Sequence, residues 1–201
     1  LGKLSDSNYL LAPQSFGHTS NEATKNYPYD PEKAKALLAE AGYPNGFEFT
    51  INALSGWGDK AAEALQADLK AVGITANIEL LEDTVSFANI AALTYQTDVM
   101  GTNDTYLDAD MLYDRYHTGA GNNQIGYSNP EVDALLEAAR EEQDEAKRVE
   151  IYDKVVAILK DDACIIPCYF EDYLAASSSK LKGFELESNT HINRWYGLYF
   201  E

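Results

Sequence analysis

The chain has 201 residues, of which 45% are hydrophobic and 24% charged, a composition typical of soluble globular proteins with a substantial core. Its formal net charge is −18, from 33 acidic and 15 basic residues, so nucleic acid and anionic lipid surfaces are excluded as expected partners. No apolar run reaches the roughly 18 to 20 residues that span a bilayer, and no signal peptide is recognisable.

The first elements are an extended segment and a helix with clear end signals. Residues 1–26 show no regular period and are predicted to be extended, with Leu10–Pro13 docking on the body. Asp30 can accept a backbone N–H as N-cap, and Pro31 at the first helical position loses no hydrogen bond. Apolar residues then recur at helical spacing, and the helix is expected to end at Gly42. They are Ala34, Leu37, Leu38 and Ala41.

The middle of the chain alternates between strand and helix patterns. Strands are predicted over 47–54, 74–81 and 96–101, and helices over 59–72 and 84–92. This order predicts the α/β fold class, with a mixed sheet covered by helices. The second strand is expected to turn Ile74, Ala76, Ile78 and Leu80 inward. The second helix is expected to have Asp83 as its N-cap and to carry an apolar set consisting of Val85, Phe87, Ala88 and Ala91.

The last third of the chain predicts a helical hairpin followed by short strands. A short helix within 108–116 comes first. Asn129 and Asp144 are predicted N-caps of helices over 130–142 and 145–160, which should pack together. Residues 163–176 have a strand pattern, and 181–201 hold two more short strand candidates. Cys164 and Cys168 would lie about 13 Å apart in such a strand, too far for a disulfide, and are predicted to be free, buried thiols.

Two strand ends carry the candidate functional residues. Ligands of open α/β sheets usually bind beyond the carboxyl ends of the strands. Trp57 lies between two glycines directly after the first predicted strand, where its ring could stack on a ligand or fold back on the core. The third strand is followed by a polar run that consists of Thr102, Asn103, Asp104, Thr105 and Tyr106.

Several separated segments resemble one known family. They read YDPEKAKALLAEAGYPNGFEF, LQADLKAVGITANIELLE, YSNPEVDALLEAAREEQDEAKRVEIYDKVVAILKDDACIIPCY and KLKGFEL. In this order and spacing they resemble the extracytoplasmic solute-binding proteins of peptide and nickel ABC importers, solute-binding family 5. The resemblance implies a receptor and not an enzyme. It also implies a C-terminal fragment of a two-lobed protein of the class II, periplasmic-binding-protein-like kind.

The family comparison assigns domains and a site to this fragment. It implies a lead-in segment over 1–26, a ligand-binding lobe over 27–178 and a tail over 179–201 that returns towards the missing first lobe. Trp57 falls on a position that touches ligand. In peptide-binding relatives, the loop that begins at Gly101 has Gly-Trp and then an Asp that pairs with the peptide's ammonium group. Here Thr102 replaces the Trp, and Thr105 falls on the Asp position, with Asp104 one residue away.

The expected partners follow from the same comparison. They are a small solute or oligopeptide and, through the full-length protein, the permease subunits of an ABC importer. The location implied is extracytoplasmic, either periplasmic or lipid-anchored, and the fragment is expected to be monomeric. The isolated fragment is expected to bind solute weakly, because the other lobe supplies half of the cleft.

Other chemistries have weaker support. His18, His117 and His191 share no metal-ligand spacing, and Asp108, Asp110 and Asp114 match only the start of an EF-hand, so no metal is expected. No P-loop or G-x-G-x-x-G motif indicates a cofactor. Two alternatives stay open: a carbohydrate-acting hydrolase that uses Asp104, Asp108 or Asp110, and an acidic protein-interaction domain. Asp108 and Asp110 could also simply cap the next helix.

Overall fold

A computed structural model describes residues 4–6, 10–19, 21, 23–56, 58–101, 107–171, 175–185 and 196–201, with backbone only for 4–6 and 171. The elements in chain order are β1 (Leu4–Asp6), α1 (Pro31–Glu40), β2 (Glu48–Leu54), α2 (Asp59–Ala71), β3 (Thr75–Leu81), α3 (Asp83–Ala92), β4 (Thr97–Val99), α4 (Met111–Tyr116), α5 (Pro130–Glu141), α6 (Glu145–Asp161), β5 (Tyr169–Glu171), β6 (Leu181–Lys182) and β7 (Tyr199–Phe200).

The chain divides into two compact units. Unit 1 consists of Leu1–Asn26, Asn103–Asn123 and Tyr127–Glu201, and unit 2 consists of Tyr27–Thr102 and Gln124–Gly126. The domain boundaries expected after residues 26 and 178 stay predictions.

Helix α1 of unit 2 has the ends that the sequence predicts. The side chain of Asp30 accepts a hydrogen bond from the backbone N–H of Lys33 at 3.0 Å, and Pro31 is the first helical residue. Gly42, just past the end, has a φ of +88°, which glycine adopts without strain. None of the residues in α1 is buried, and the Leu37 side chain is 52% exposed.

Unit 2 is built on a three-stranded parallel sheet with the order β3-β2-β4. Helix α2 connects β2 to β3, and helix α3 connects β3 to β4, which gives the long crossovers that parallel strands require. Ala53 of β2 lies opposite Leu80 of β3 and Val99 of β4. The core is small and is formed by Ile51, Ala53, Ala62 and Ala76. The α/β class is thereby confirmed.

Two predictions about unit 2 are wrong in detail. Leu80 is 51% exposed, because β3 is an edge strand whose carboxyl end leaves that face open, while Leu81 is buried. Asp83 is the first residue of α3 and not its N-cap, which is Glu82. The apolar side of α3 also faces solvent. Val85 and Phe87 are 47% and 54% exposed.

A polar contact explains the orientation of α3. The buried residues of this helix are Ser86 and Ile90, one turn apart on the face opposite to the predicted one. The hydroxyl of Ser86 donates to Oδ2 of Asp98 in β4 at 3.4 Å. This contact between distant residues turns the polar Ser86 inward, and a local apolar pattern cannot predict it.

Unit 1 has a larger core, built on the predicted helical hairpin. The side chains of Asn129 and Asp144 cap α5 and α6 as expected. Helices α5 and α6 pack together and bury residues that include Val132, Leu136, Ala139, Tyr152, Val155, Val156 and Leu159. Leu11 and Ala12 are each only 4% exposed, so the predicted docking of Leu10–Pro13 on the body is confirmed.

The strands of unit 1 are shorter than predicted. β1 pairs antiparallel with β5, and β6 pairs antiparallel with β7. Within the predicted strand 163–176, only 169–171 are a strand among the described residues. Cys164 is half-buried, and burial raises the pKa of its thiol to about 11. Cys168 is exposed, so its predicted burial is wrong, because the segment leading to it is not a buried strand.

Candidate functional site

The residues predicted to bind ligand, Trp57, Thr102, Asn103, Asp104, Thr105 and Tyr106, lie outside the described residues. Their roles therefore stay predictions. The described residues beside them do define where the two candidate loops begin and where the second one ends.

Both loops begin at the same edge of the sheet in unit 2. β2 and β4 are parallel neighbours, so their carboxyl ends lie side by side. After β2, the N–H of Gly58 donates to the carbonyl of Leu54 at 2.8 Å. A Cβ atom at Gly58 would lie 3.2 Å from the carbonyl oxygen of Val99, at the end of β4. The loop that holds Trp57 thus returns close to the start of the second loop, and a small residue is favoured there.

The second loop ends in unit 1 on a described anchor. The backbone N–H of Phe16 donates to the carbonyl of Leu107, and the N–H of Ala109 donates to the carbonyl of Phe16, each at 2.9 Å. Phe16 and Asp108 therefore form an isolated parallel bridge. The backbone just after the polar run is held by a segment far away in the sequence.

Two arginines hold the carboxylates of Asp108 and Asp110. Oδ1 of Asp108 accepts from the N–H of Asp110 at 2.9 Å and from Arg148 at 3.3 Å. Asp110 forms a two-pronged ion pair with Arg140, with distances of 2.6 and 2.9 Å. Asp110 occupies the N-cap position of α4, but its side chain makes no capping bond. The capping prediction is therefore wrong for Asp110, because Arg140 engages both of its oxygens.

A buried polar group lies on the sheet of unit 2, and the sequence analysis missed it. Asn52 and Asp98 are opposite each other on β2 and β4, and Ser86 of α3 covers Asp98. Asn52 and Ser86 are 4% and 2% exposed. Burial raises the pKa of Asp98 above its usual 3.8, although the bond from Ser86 opposes the rise. The available signal was a polar residue inside each of two apolar strands.

The described histidines make separate contacts. Nδ1 of His18 lies 2.9 Å from the carbonyl oxygen of Leu11. Nε2 of His117 lies 3.1 Å from a carboxylate oxygen of Glu137. His191 is outside the described residues. Across the described ranges, no group of three or more His, Cys, Asp or Glu residues is placed to hold a metal ion.

Comparison with known proteins decides the family. Residues 1–124 match the family described as bacterial extracellular solute-binding proteins, family 5 Middle. The chain belongs to this family. The resemblance seen in the sequence segments is thereby confirmed.

Relatives within family 5 are similar over most of this chain. It is 32% identical over 189 residues to heme-binding protein A of Haemophilus influenzae, and the alignment covers 89% of this chain and 34% of that protein. It is 28% identical over 188 residues to the dipeptide-binding protein of Escherichia coli, and the alignment covers 89% of this chain and 35% of that protein. The family 5 chain thus spans about a third of the length of these curated relatives.

A solved structure has the same fold. It is an ABC transporter-associated periplasmic binding protein, DppA, from Helicobacter pylori in complex with the peptide STSA. The TM-score is 0.86 at 27% identity, over 98% of this chain and 39% of that chain. The predicted lobe of the periplasmic-binding-protein kind is therefore confirmed for this family 5 chain. Among the helices that the structure describes, none combines the length and apolar character needed to cross a membrane.

Proposed function

We propose that the chain is the C-terminal lobe of an extracytoplasmic receptor that captures a small solute for an ABC importer. The observation that carries this proposal is the family 5 match over residues 1–124. The parallel neighbours β2 and β4 support it, because their carboxyl ends meet where open α/β sheets usually bind ligands. An oligopeptide or a related small polar compound is the favoured solute.

In this proposal each of the two candidate loops makes a different kind of contact with the solute. The indole of Trp57 stacks on the solute. Residues 102–106 supply polar contacts, and the carboxylate of Asp104 pairs with a cationic group by a charge-assisted hydrogen bond. The net charge of −18 would attract such a cationic solute modestly. A second lobe then closes over the solute and excludes water.

The wider roles are part of the proposal. The receptor binds without chemical conversion, hands its solute to permease subunits and needs no cofactor or metal of its own. Asp108 and Asp110 act structurally, which is supported by their contacts with Arg148 and Arg140. The hydrolase alternative would need at least one of them to be free for catalysis.

Calorimetry on the full-length protein tests the proposal. Dialanine, the tetrapeptide Ser-Thr-Ser-Ala and heme are titrated separately. We expect at least one to bind, and Trp57→Ala to weaken that binding by tenfold or more, since truncating an aromatic residue at the centre of a binding site costs about 2 kcal/mol or more. Tyr29→Ala is the matched control, because Tyr29 is a 75% exposed aromatic that precedes α1, and it should leave binding unchanged.

Two results would contradict the proposal. One is a full-length protein that binds none of the three compounds. The other is solute hydrolysis that Asp104→Asn abolishes, which would favour an enzyme. The 201-residue chain alone is expected to bind at least a hundredfold more weakly than the full-length protein, because it lacks the other lobe.

A further inference from the structure

We propose that Arg148 is a positioning residue that fixes the backbone on which the predicted solute loop ends. This inference rests on the proposed function. Its geometry lies wholly within described residues of unit 1. The segment it fixes is 107–110, which follows the polar run directly.

The first observation is a close backbone contact between the segment around Phe16 and residues 107–110. Phe16 holds the carbonyl of Leu107 and the N–H of Ala109. The next residue, Gly17, has a φ of +87°, and a Cβ there would lie 2.5 Å from the Cβ of Ala109. Tyr152 is also close to that position, at 3.2 Å. The segment around Phe16 therefore approaches 107–110 as closely as only a glycine permits.

Arg148, which lies in α6, contacts both sides of this backbone contact. Its Nη2 lies 3.3 Å from Oδ1 of Asp108 and 3.3 Å from the hydroxyl of Tyr152. Its guanidinium lies over the ring of Phe16, 4.8 Å from the ring centre. One side chain thus touches both partners of the bridge between Phe16 and Asp108, and Tyr152 is fully buried behind it.

The contacts that the Arg148 guanidinium makes support a positioning role. Its Nε is buried and has no hydrogen-bond partner within the described part of the chain. Stacking on Phe16 and the contact with Asp108 are instead what the geometry provides.

The consequence for binding is preorganisation. A loop whose end is fixed loses less conformational freedom when a solute binds, and the affinity rises accordingly. Without Arg148, Asp108 still accepts a hydrogen bond from the N–H of Asp110. The bridge between Phe16 and Asp108, however, loses the guanidinium that contacts both residues. We expect the amides of Phe16, Ala109 and Asp110 to exchange faster, and solute to bind about tenfold more weakly.

The experiment uses the full-length protein with Arg148→Met, Arg148→Lys and Lys160→Met. Lys160→Met is the matched control. It removes a cation from the same helix, and Lys160 also holds the N-terminal segment, by donating to the carbonyl of Ala23 at 3.1 Å. Hydrogen exchange is measured at Phe16, Ala109 and Asp110, and dialanine and heme are titrated by calorimetry.

We expect Arg148→Met to speed exchange at these three amides tenfold or more and to weaken binding about tenfold. Arg148→Lys, which keeps the charge and most of the packing, should recover part of both and serves as the readout if Arg148→Met does not fold. Lys160→Met should change neither measurement by more than about twofold.

Unchanged exchange in both Arg148 variants would overturn the inference, and so would an equal effect of Lys160→Met. Faster exchange without any loss of affinity would also overturn it, because the anchor would then have no bearing on binding. If the wild-type protein binds neither these probes nor the tetrapeptide Ser-Thr-Ser-Ala, the proposed function fails, while the exchange data still decide whether Arg148 fixes 107–110.

Discussion

The two units of the chain bury apolar side chains in different ways. Among the described residues of unit 1, a cluster of twelve is buried, including Leu136, Tyr152 and Leu159, and large side chains dominate it. In unit 2 the buried members of the core cluster are one isoleucine and three alanines, and larger side chains such as Leu65 and Leu69 pack against it only partly buried. Because the free energy gained scales with apolar area, about 25 cal/mol per Å², unit 1 should be the more stable of the two.

The difference also shows on the surface of unit 2. Among the described residues, unit 2 exposes ten large apolar side chains and unit 1 exposes four; those of unit 2 are 37% to 75% exposed and include Tyr27, Tyr29, Leu37, Tyr43, Phe47, Val85, Phe87 and Leu93. The small buried residues of the core cluster in unit 2 each remove little apolar area from water. Unit 2 therefore depends more on the hydrogen bonds of its parallel sheet, and unit 1 on packing.

The largest expected effect is a cavity in unit 1. Leu136→Ala should lower the free energy of unfolding by about 3 kcal/mol, because this side chain is 1% exposed in the core. The matched change in unit 2 is Leu37→Ala on α1, where the side chain is 52% exposed, and it should cost under about 0.5 kcal/mol. Urea unfolding measures both. Similar costs at the two positions would break the comparison.

The next largest effect is expected from substitutions at two glycines that have nearly the same φ. Gly17→Ala in unit 1 should cost about 2–3 kcal/mol, since the new Cβ both strains a positive φ and collides with Ala109. Gly42→Ala in unit 2 has the strain but no atom within 4 Å, so about 1 kcal/mol is expected. Calorimetric melting gives both values, and a cost at Gly42 as large as at Gly17 would mean that strain alone acts.

A smaller effect concerns Asp98 in unit 2. Its folded pKa is raised, so between 3.8 and that raised value the folded state holds a proton that the unfolded state has lost. Stability should therefore fall as the pH rises through this window. Asp98→Asn should remove the decline and stabilise unit 2 at neutral pH by under about 1 kcal/mol. The exposed Asp68 is the control, and if Asp68→Asn has the same effect, the burial of Asp98 is not the cause.

The smallest effect belongs to His117 in unit 1, which stacks on Tyr113 with ring centres 4.3 Å apart. Burial opposes its charge, but Glu137, the carbonyl of Thr118 and Asp133 outweigh that and raise the pKa of His117 above 6.5. Its contribution should be complete below pH 6.5 and disappear as the pH rises through the folded pKa. We expect less than about 0.5 kcal/mol.

Urea midpoints between pH 5.5 and 8.5, with His117→Gln for comparison, measure this change. A magnetic-resonance titration of His117 gives its pKa directly. A value below 6.5 would contradict the expected sign.

Local signals in the sequence predicted much of this fold. The caps at Asp30, Asn129 and Asp144 are bonds between residues two or three positions apart, so a short segment contains all the information. The alternation of strand and helix patterns likewise predicted the α/β class of unit 2. Both sets of predictions are confirmed for that reason.

The failures have the opposite cause. The face of α3 is decided by Ser86 meeting Asp98, and the anchor at 107–110 by Phe16, which lies far away in the sequence. Neither contact leaves a periodic pattern. For the candidate site, the topology indicated which strand ends matter, but the ligand contacts of Trp57 and Asp104 depend on positions that the described residues do not include.

The pairing of β1 with β5 has a consequence for synthesis on the ribosome. Leu4 lies opposite Glu171, so β1 must wait for a partner strand that is synthesised much later. The strands of unit 2 are complete once residue 99 has emerged, long before that partner is available. The small sheet can therefore form first during translation, and the better-packed unit around the helical hairpin closes after it.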